Sequence, residues 1–227
     1  MAMLRFSPAP RPMPSYVRLP IVERLDLVDR ALRALVQDGE MMARLALRGF
    51  KKKRLDEGRA LLDAVRTARR TQDSELGEQF DATDDAGAAW TAVRKPYMAE
   101  VTFAREALAG DRGALEDLGL LGRRARTRAA AIDQAHNFYA SAMKRPDLAE
   151  RLDGVGITAE TLAAGLARVE ALAEARGDQQ GETADATHAT VSKDTQLEAL
   201  DTWAGSFVRT ARAEFADEPE RLDRLGL

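Results

Sequence analysis

Six side chains in this 227-residue chain carry oxygen or nitrogen donors at spacings that a helix could use. Asp26-x-x-Asp29 and Asp133-x-x-His136 each place two such groups at i, i+3, which on an α-helix share one face. Asp63 and Glu170 follow each pair at the same interval. Carboxylates and a neutral imidazole are ligands for a divalent metal such as iron, manganese or zinc. The competing reading makes the six boundary carboxylates and a surface histidine, paired with Arg44/Arg151, Arg69/Arg176 or Arg105/Arg212. All six sit one step off an apolar stripe and so face toward water, which favours the competing reading.

In outline the set resembles the dimetal sites of ferritin-like bundles, with Glu-x-x-His on two helices and one Glu on each of the other two. The departures are one histidine in place of two, and aspartate where glutamate reaches farther. A divalent metal is therefore the alternative expectation, and no cofactor the leading one.

Lys51-Lys52-Lys53-Arg54 is a second constellation, and it holds three of the six lysines. It falls at the start of a helix, where the macrodipole disfavours cations. The corresponding residues in the second half of the chain are Thr158-Ala-Glu160-Thr, an ordinary helix start. An unfavourable choice made once points to an anion or partner patch, against the plainer reading of a solvated basic turn. Arg123, Arg124, Arg126 and Arg128 could extend it. No aromatics are interleaved with these cations, and the net charge is −3, so nucleic acid is not an expected partner.

Other patterns fail. Asp81 to Ala92 starts like a calcium loop, but its glycine is at the seventh position and its twelfth residue is Ala92. His188 has no partner in the sequence. Phosphate-binding loops, dinucleotide turns and nucleophile elbows are missing. With no cysteine, thiol catalysis and thiolate metal sites are excluded. No apolar run is long enough to span a membrane, and the four prolines before Ser15 do not suit a signal peptide. Residues 1–13 read as an extended Pro-rich tail and the chain as cytoplasmic.

The elements that would position these groups repeat. Pairing residues 14–120 with those 107 positions later gives about 23 identities, against about 10 expected from composition. They include Asp26/Asp133, Arg44/Arg151, Gly58/Gly165, Gln72/Gln179, Glu75/Glu182 and Arg105/Arg212. Helical stripes repeat with them: Leu25, Val28, Leu32, Leu35 answers Ile132, Ala135, Tyr139, Ala142. Gly58 and Gly165 fall at one core-facing point and predict a close helix approach in each copy. Thr83 with Asp84 and Asp85, Thr158, and Ser192 or Thr190 read as N-caps. Polar, Gly-containing stretches at 73–81 and 177–189 read as loops, and 121–128 joins the copies.

Four short segments end alike. Gly49, Gly119, Gly156 and Gly226 each follow a leucine by four residues and precede an apolar residue. This is the sequence form of a Schellman stop, with glycine in the left-handed conformation and the apolar residue folded back on the leucine. The predicted pairs are Leu45/Phe50, Leu115/Leu120, Leu152/Ile157 and Leu222/Leu227. The last would finish on the final residue and leave no tail.

The expected fold is all-α: a tandem duplication, residues 14–120 and 121–227, of a unit with three long and two short helices. The copies would form a pseudo-twofold bundle with a shared core. The run Leu200-Asp-Thr-Trp203-Ala-Gly-Ser-Phe207, continuing through Glu218-Pro219 to Leu225-Gly226-Leu227, resembles the ending of a family of uncharacterised bacterial helical proteins. That resemblance implies a helical bundle and carries no activity. The functional expectation is a non-catalytic interaction or structural protein that binds a protein partner or itself. Its alternative is a metal- or small-ligand-binding bundle.

Overall fold

The computed structural model describes residues 16–227, so the tail at 1–13 lies outside the described residues. The described chain is all-α. A 3-10 turn, Tyr16–Arg18, precedes α1 (Ile21–Gln37), α2 (Gly39–Leu47), α3 (Lys52–Ala107), α4 (Arg112–Asp117), α5 (Arg128–Lys144), α6 (Pro146–Asp153), α7 (Ala159–Glu214) and α8 (Pro219–Leu225). Each of the first four helices starts 107 residues before its counterpart among the last four.

Three long and two short helices per half is not what forms. The stretches at 73–81 and 177–189 are helical, so α3 and α7 each run unbroken for 56 residues. Thr83, Thr190 and Ser192 lie inside helices and cap nothing; the Thr83 hydroxyl donates to the Gln79 carbonyl. Thr158 does cap α7, accepting from the Thr161 N–H at 3.2 Å. The join between the halves is non-helical up to Thr127, which caps α5.

All four Schellman stops are present. Gly49, Gly119, Gly156 and Gly226 have φ of 93°, 62°, 82° and 75°. The six-to-one bonds run from Phe50 N–H to Leu45 O at 2.9 Å, Leu120 to Leu115 at 2.7 Å, Ile157 to Leu152 at 3.0 Å, and Leu227 to Leu222 at 2.9 Å. Each stop turns an apolar residue into a core: Phe50, Leu120, Ile157 and Leu227 are all buried.

The described chain divides into two compact units, residues 16–73 with 188–227, and residues 74–187. These are not the two halves of the sequence. The first unit takes α1, α2 and the start of α3 together with the end of α7 and α8. Its core gathers Leu25, Leu32, Met41, Phe50 and Leu62 with Trp203, Phe207, Phe215 and Leu227. The second takes α5, α6 and the start of α7 together with the end of α3 and α4. There Tyr97, Val101, Leu108 and Leu120 join Phe138, Tyr139, Leu152 and Leu172. Each such buried side chain contributes about 1.5–3 kcal/mol, so each unit depends on both halves of the chain.

Gly58 and Gly165 mark close approaches, as expected, but a ring makes each one. A Cβ on Gly58 would lie 2.2 Å from the Trp203 ring, and one on Gly165 2.2 Å from the Tyr139 ring. The rings come from different elements, α7 in the first unit and α5 in the second. The residues 107 away from them are Pro96 and Leu32.

Candidate functional site

The basic cluster sits on the first unit beside an aromatic platform. Phe50 meets Trp203 and Phe207 edge-on, and Trp203 stacks on Phe207 at 5.4 Å between centroids. The Trp203 indole N–H donates to the Arg54 carbonyl at 2.8 Å, which ties the first turn of α3 to α7. Arg54 lies 4.4 Å above the Phe50 ring and donates to the Ser206 hydroxyl at 3.0 Å. It is therefore part of the scaffold as well as a charge.

The lysines are freer. Lys52 pairs with Asp56 at 2.8 Å on the exposed face. Lys51 and Lys53, both exposed, line a groove of about 900 Å³ with Arg54, Arg209, Trp203 and Glu57. Four cations thus face one carboxylate. Lys51 stands where α7 has its Thr158 cap, and only its carbonyl serves the helix, accepting from Arg54 and Leu55. Because a lysine side chain cannot accept a hydrogen bond, this start lacks the cap its counterpart has. The arrangement can hold carboxylates or phosphates; it has no nucleophile paired with a base. Arg123, Arg124, Arg126 and Arg128 do not extend the patch within its unit, for they belong to the other one.

The six candidate metal ligands divide three and three between the units: Asp26, Asp29 and Asp63 in the first, Asp133, His136 and Glu170 in the second. All but Asp29 are exposed. Burial raises the Asp29 carboxyl, but hydrogen bonds from Arg66 and Arg33 outweigh it and hold the group below its ordinary value. The distances are 3.0 Å from Arg66 and 2.8 Å from Arg33. Arg66 also lies 3.9 Å from Asp63. Of the arginines expected to pair with them, Arg44 binds Glu214 and Glu218 instead, Arg151 binds Asp111, and Arg105 donates to the Leu120 carbonyl. Among the described residues, the acidic trio whose ligand atoms converge within 4.8 Å is Glu75, Glu182 and Asp185, which includes none of the six. Burial and the neighbouring Glu78, Asp185 and Glu75 raise the Glu182 carboxyl. Comparison with known proteins returns nothing: no protein family, curated protein or solved structure matches the chain.

Two polar groups, one in a core and one at the edge of the other, carry no motif. Glu100 is buried, with Arg168 3.8 Å from one carboxylate oxygen and the other oxygen unpartnered. In the first unit, Asp201 pairs with Arg24 beside Tyr16. Aligning the halves could have exposed both, since the residue 107 after Glu100 is Phe207 and the residue 107 before Asp201 is Arg94.

Proposed function

We propose that this protein is a non-catalytic interaction protein, built from a duplicated helical unit, whose basic groove on the first unit receives an acidic segment of a protein partner. The groove carries the reading. Four cations around a single carboxylate form a local positive field on a chain whose net charge is −3. Such a field steers and orients an acidic partner more than it adds raw affinity. Leu61 and Trp203 in the wall offer apolar contact beside the charges. The duplicated origin is supported by the helix starts, which recur at the interval seen in the sequence.

The test replaces Lys51, Lys52 and Lys53 with the Thr-Ala-Glu of residues 158–160 and keeps Arg54, whose contacts are structural. Binding of a fluorescein-labelled oligoglutamate peptide is followed by anisotropy at low and high salt. The wild type should bind in a salt-sensitive manner. The variant should lose that binding while melting at a higher temperature, because a cap replaces cations at the helix start. Equal peptide binding by both proteins would end the proposal. Self-association instead of partner binding would appear as a dimer in sedimentation that the same variant disrupts.

A further inference from the structure

The second unit holds a hollow of about 330 Å³ between the end of α3 and the segment leading into α5. Arg94, Arg124, Arg126 and Arg128 converge on it, Trp90 and Tyr97 form part of its wall, and no residue lining it is acidic. A neighbouring hollow of about 490 Å³ shares Trp90 and Arg94 and adds Lys95. Some exposed arginines elsewhere find carboxylates, as Arg33 meets Asp29, Arg48 meets Glu214, Arg145 meets Asp117 and Arg151 meets Asp111, while among the described residues Arg30, Arg59, Arg70 and Arg112 are scattered singly without one. Among the described residues no carboxylate pairs with Arg94, Arg126 or Arg128.

Arg124 sets the geometry. It donates to the Tyr97 hydroxyl at 3.0 Å and to the Gly119 carbonyl at 2.9 Å, and its Nε is buried without a partner. Arg128 lies 5.7 Å from the centre of the half-buried Trp90 ring. The chain does not treat the matching positions of the first unit this way. Counting 107 residues from Arg94 and Ala131 gives Asp201 and Arg24, and from Arg124, Arg126 and Arg128 gives Val17, Leu19 and Ile21. There the acid and the arginine pair with each other, and no arginine stands at the other three positions.

We propose that this hollow is a binding site for a nucleoside polyphosphate. Guanidinium forks match phosphate oxygens two at a time, and several unpaired forks in one place call for a multivalent anion rather than a single carboxylate. Trp90, with Val93 and Met98 beside it, supplies a surface on which a flat base can stack. The volume is that of a small-ligand pocket, more than a lone phosphate fills. This site is independent of the groove on the first unit in position and in ligand.

Calorimetric titration of the full-length protein with ATP, ADP, inorganic pyrophosphate and adenosine tests it. ATP should bind once per chain and weaken as salt rises. Arg94→Ala and Arg126→Ala, both at exposed positions, should each weaken ATP by about ten-fold or more. Trp90→Leu should weaken ATP while leaving pyrophosphate unchanged, and adenosine alone should bind far more weakly than ATP. The variant carrying the three lysine replacements should keep ATP binding, so the two sites fail or succeed separately. Circular dichroism melts confirm that the variants are folded. Absence of saturable ATP binding, or ATP affinity equal to the wild type's in both Arg94→Ala and Arg126→Ala, would overturn the assignment. So would loss of ATP binding in the lysine variant alone.

Discussion

A carboxylate inside a helical core has to be matched by something, and the partners of Glu100 are few. Arg168 stands 3.8 Å away, and Tyr139 beside them has its hydroxyl raised above its ordinary value, by burial first and then by its hydrogen bond to Glu100. Arg168→Ala would leave the carboxylate with the tyrosine alone and should destabilise the protein by about 1–3 kcal/mol in a urea titration. No change in the unfolding midpoint would mean that water already solvates Glu100. The residues 107 away from Tyr139, Glu100 and Arg168 are Leu32, Phe207 and Leu61, so one register serves a polar trio in one unit and apolar packing in the other. Charges at the edge of the first core behave differently. Hydrogen bonds from Arg48 and then Arg44 hold the Glu214 carboxyl below its usual value of 4.5. A depressed folded value means that the stability it contributes is fully present above pH 4.5 and is lost as pH falls through the lower folded value. Replacing both arginines with methionine should therefore flatten the acid limb of the stability curve, measured by denaturant midpoints from neutral pH downward. An acid limb as steep as the wild type's would assign it to other carboxylates.

At the scale of elements, the stops were legible because six consecutive residues contain all of their chemistry. Gly119 is the most constrained of them: φ is +62° and an added Cβ would meet the Asn137 side-chain nitrogen at 2.8 Å. Gly49 has the same handedness with nothing within 4 Å. Both alanine variants should be less stable by about 1 kcal/mol for the left-handed conformation, with Gly119→Ala costing more. Equal losses in parallel denaturant titrations would show that Asn137 simply moves aside. The long helices were not legible, because what sustains them is remote in sequence. Gln72 donates to the Thr190 hydroxyl in the first unit, and Gln179 to the Thr83 hydroxyl in the second. Gly77, Gly177 and Gly181 lie in open space at ordinary helical φ, so they punctuate nothing. The candidate sites follow the same rule. Lys51 to Arg54 are neighbours in the chain and could be read directly, whereas Arg94 reaches Arg124, Arg126 and Arg128 only through the fold.

For the whole molecule, the decisive fact is that neither half of the sequence owns a core. Leu25 to Val65 are completed by Leu200 to Leu227, and Val93 to Leu120 by Ile132 to Leu172. A fragment of residues 14–120 would carry the first parts of one core and the last parts of the other, each with its apolar faces open to water. Folding alone as a monomer would leave those faces uncovered, and at about 1.5–3 kcal/mol per large side chain the loss exceeds the marginal stability of any small domain. Residues 14–120 and 121–227 expressed separately should thus be poorly helical or self-associated. Co-expressed, they should purify together in equal amounts and recover the circular dichroism and melting behaviour of the intact chain. The break falls in the non-helical segment after Gly119, so it removes no helix. If a half folds by itself into pairs, two copies would have to exchange the ends of their long helices, which is the arrangement a duplicated and fused dimer would preserve. Light scattering on each fragment separates these outcomes, and a stable, fully helical monomer of either half would refute the shared cores.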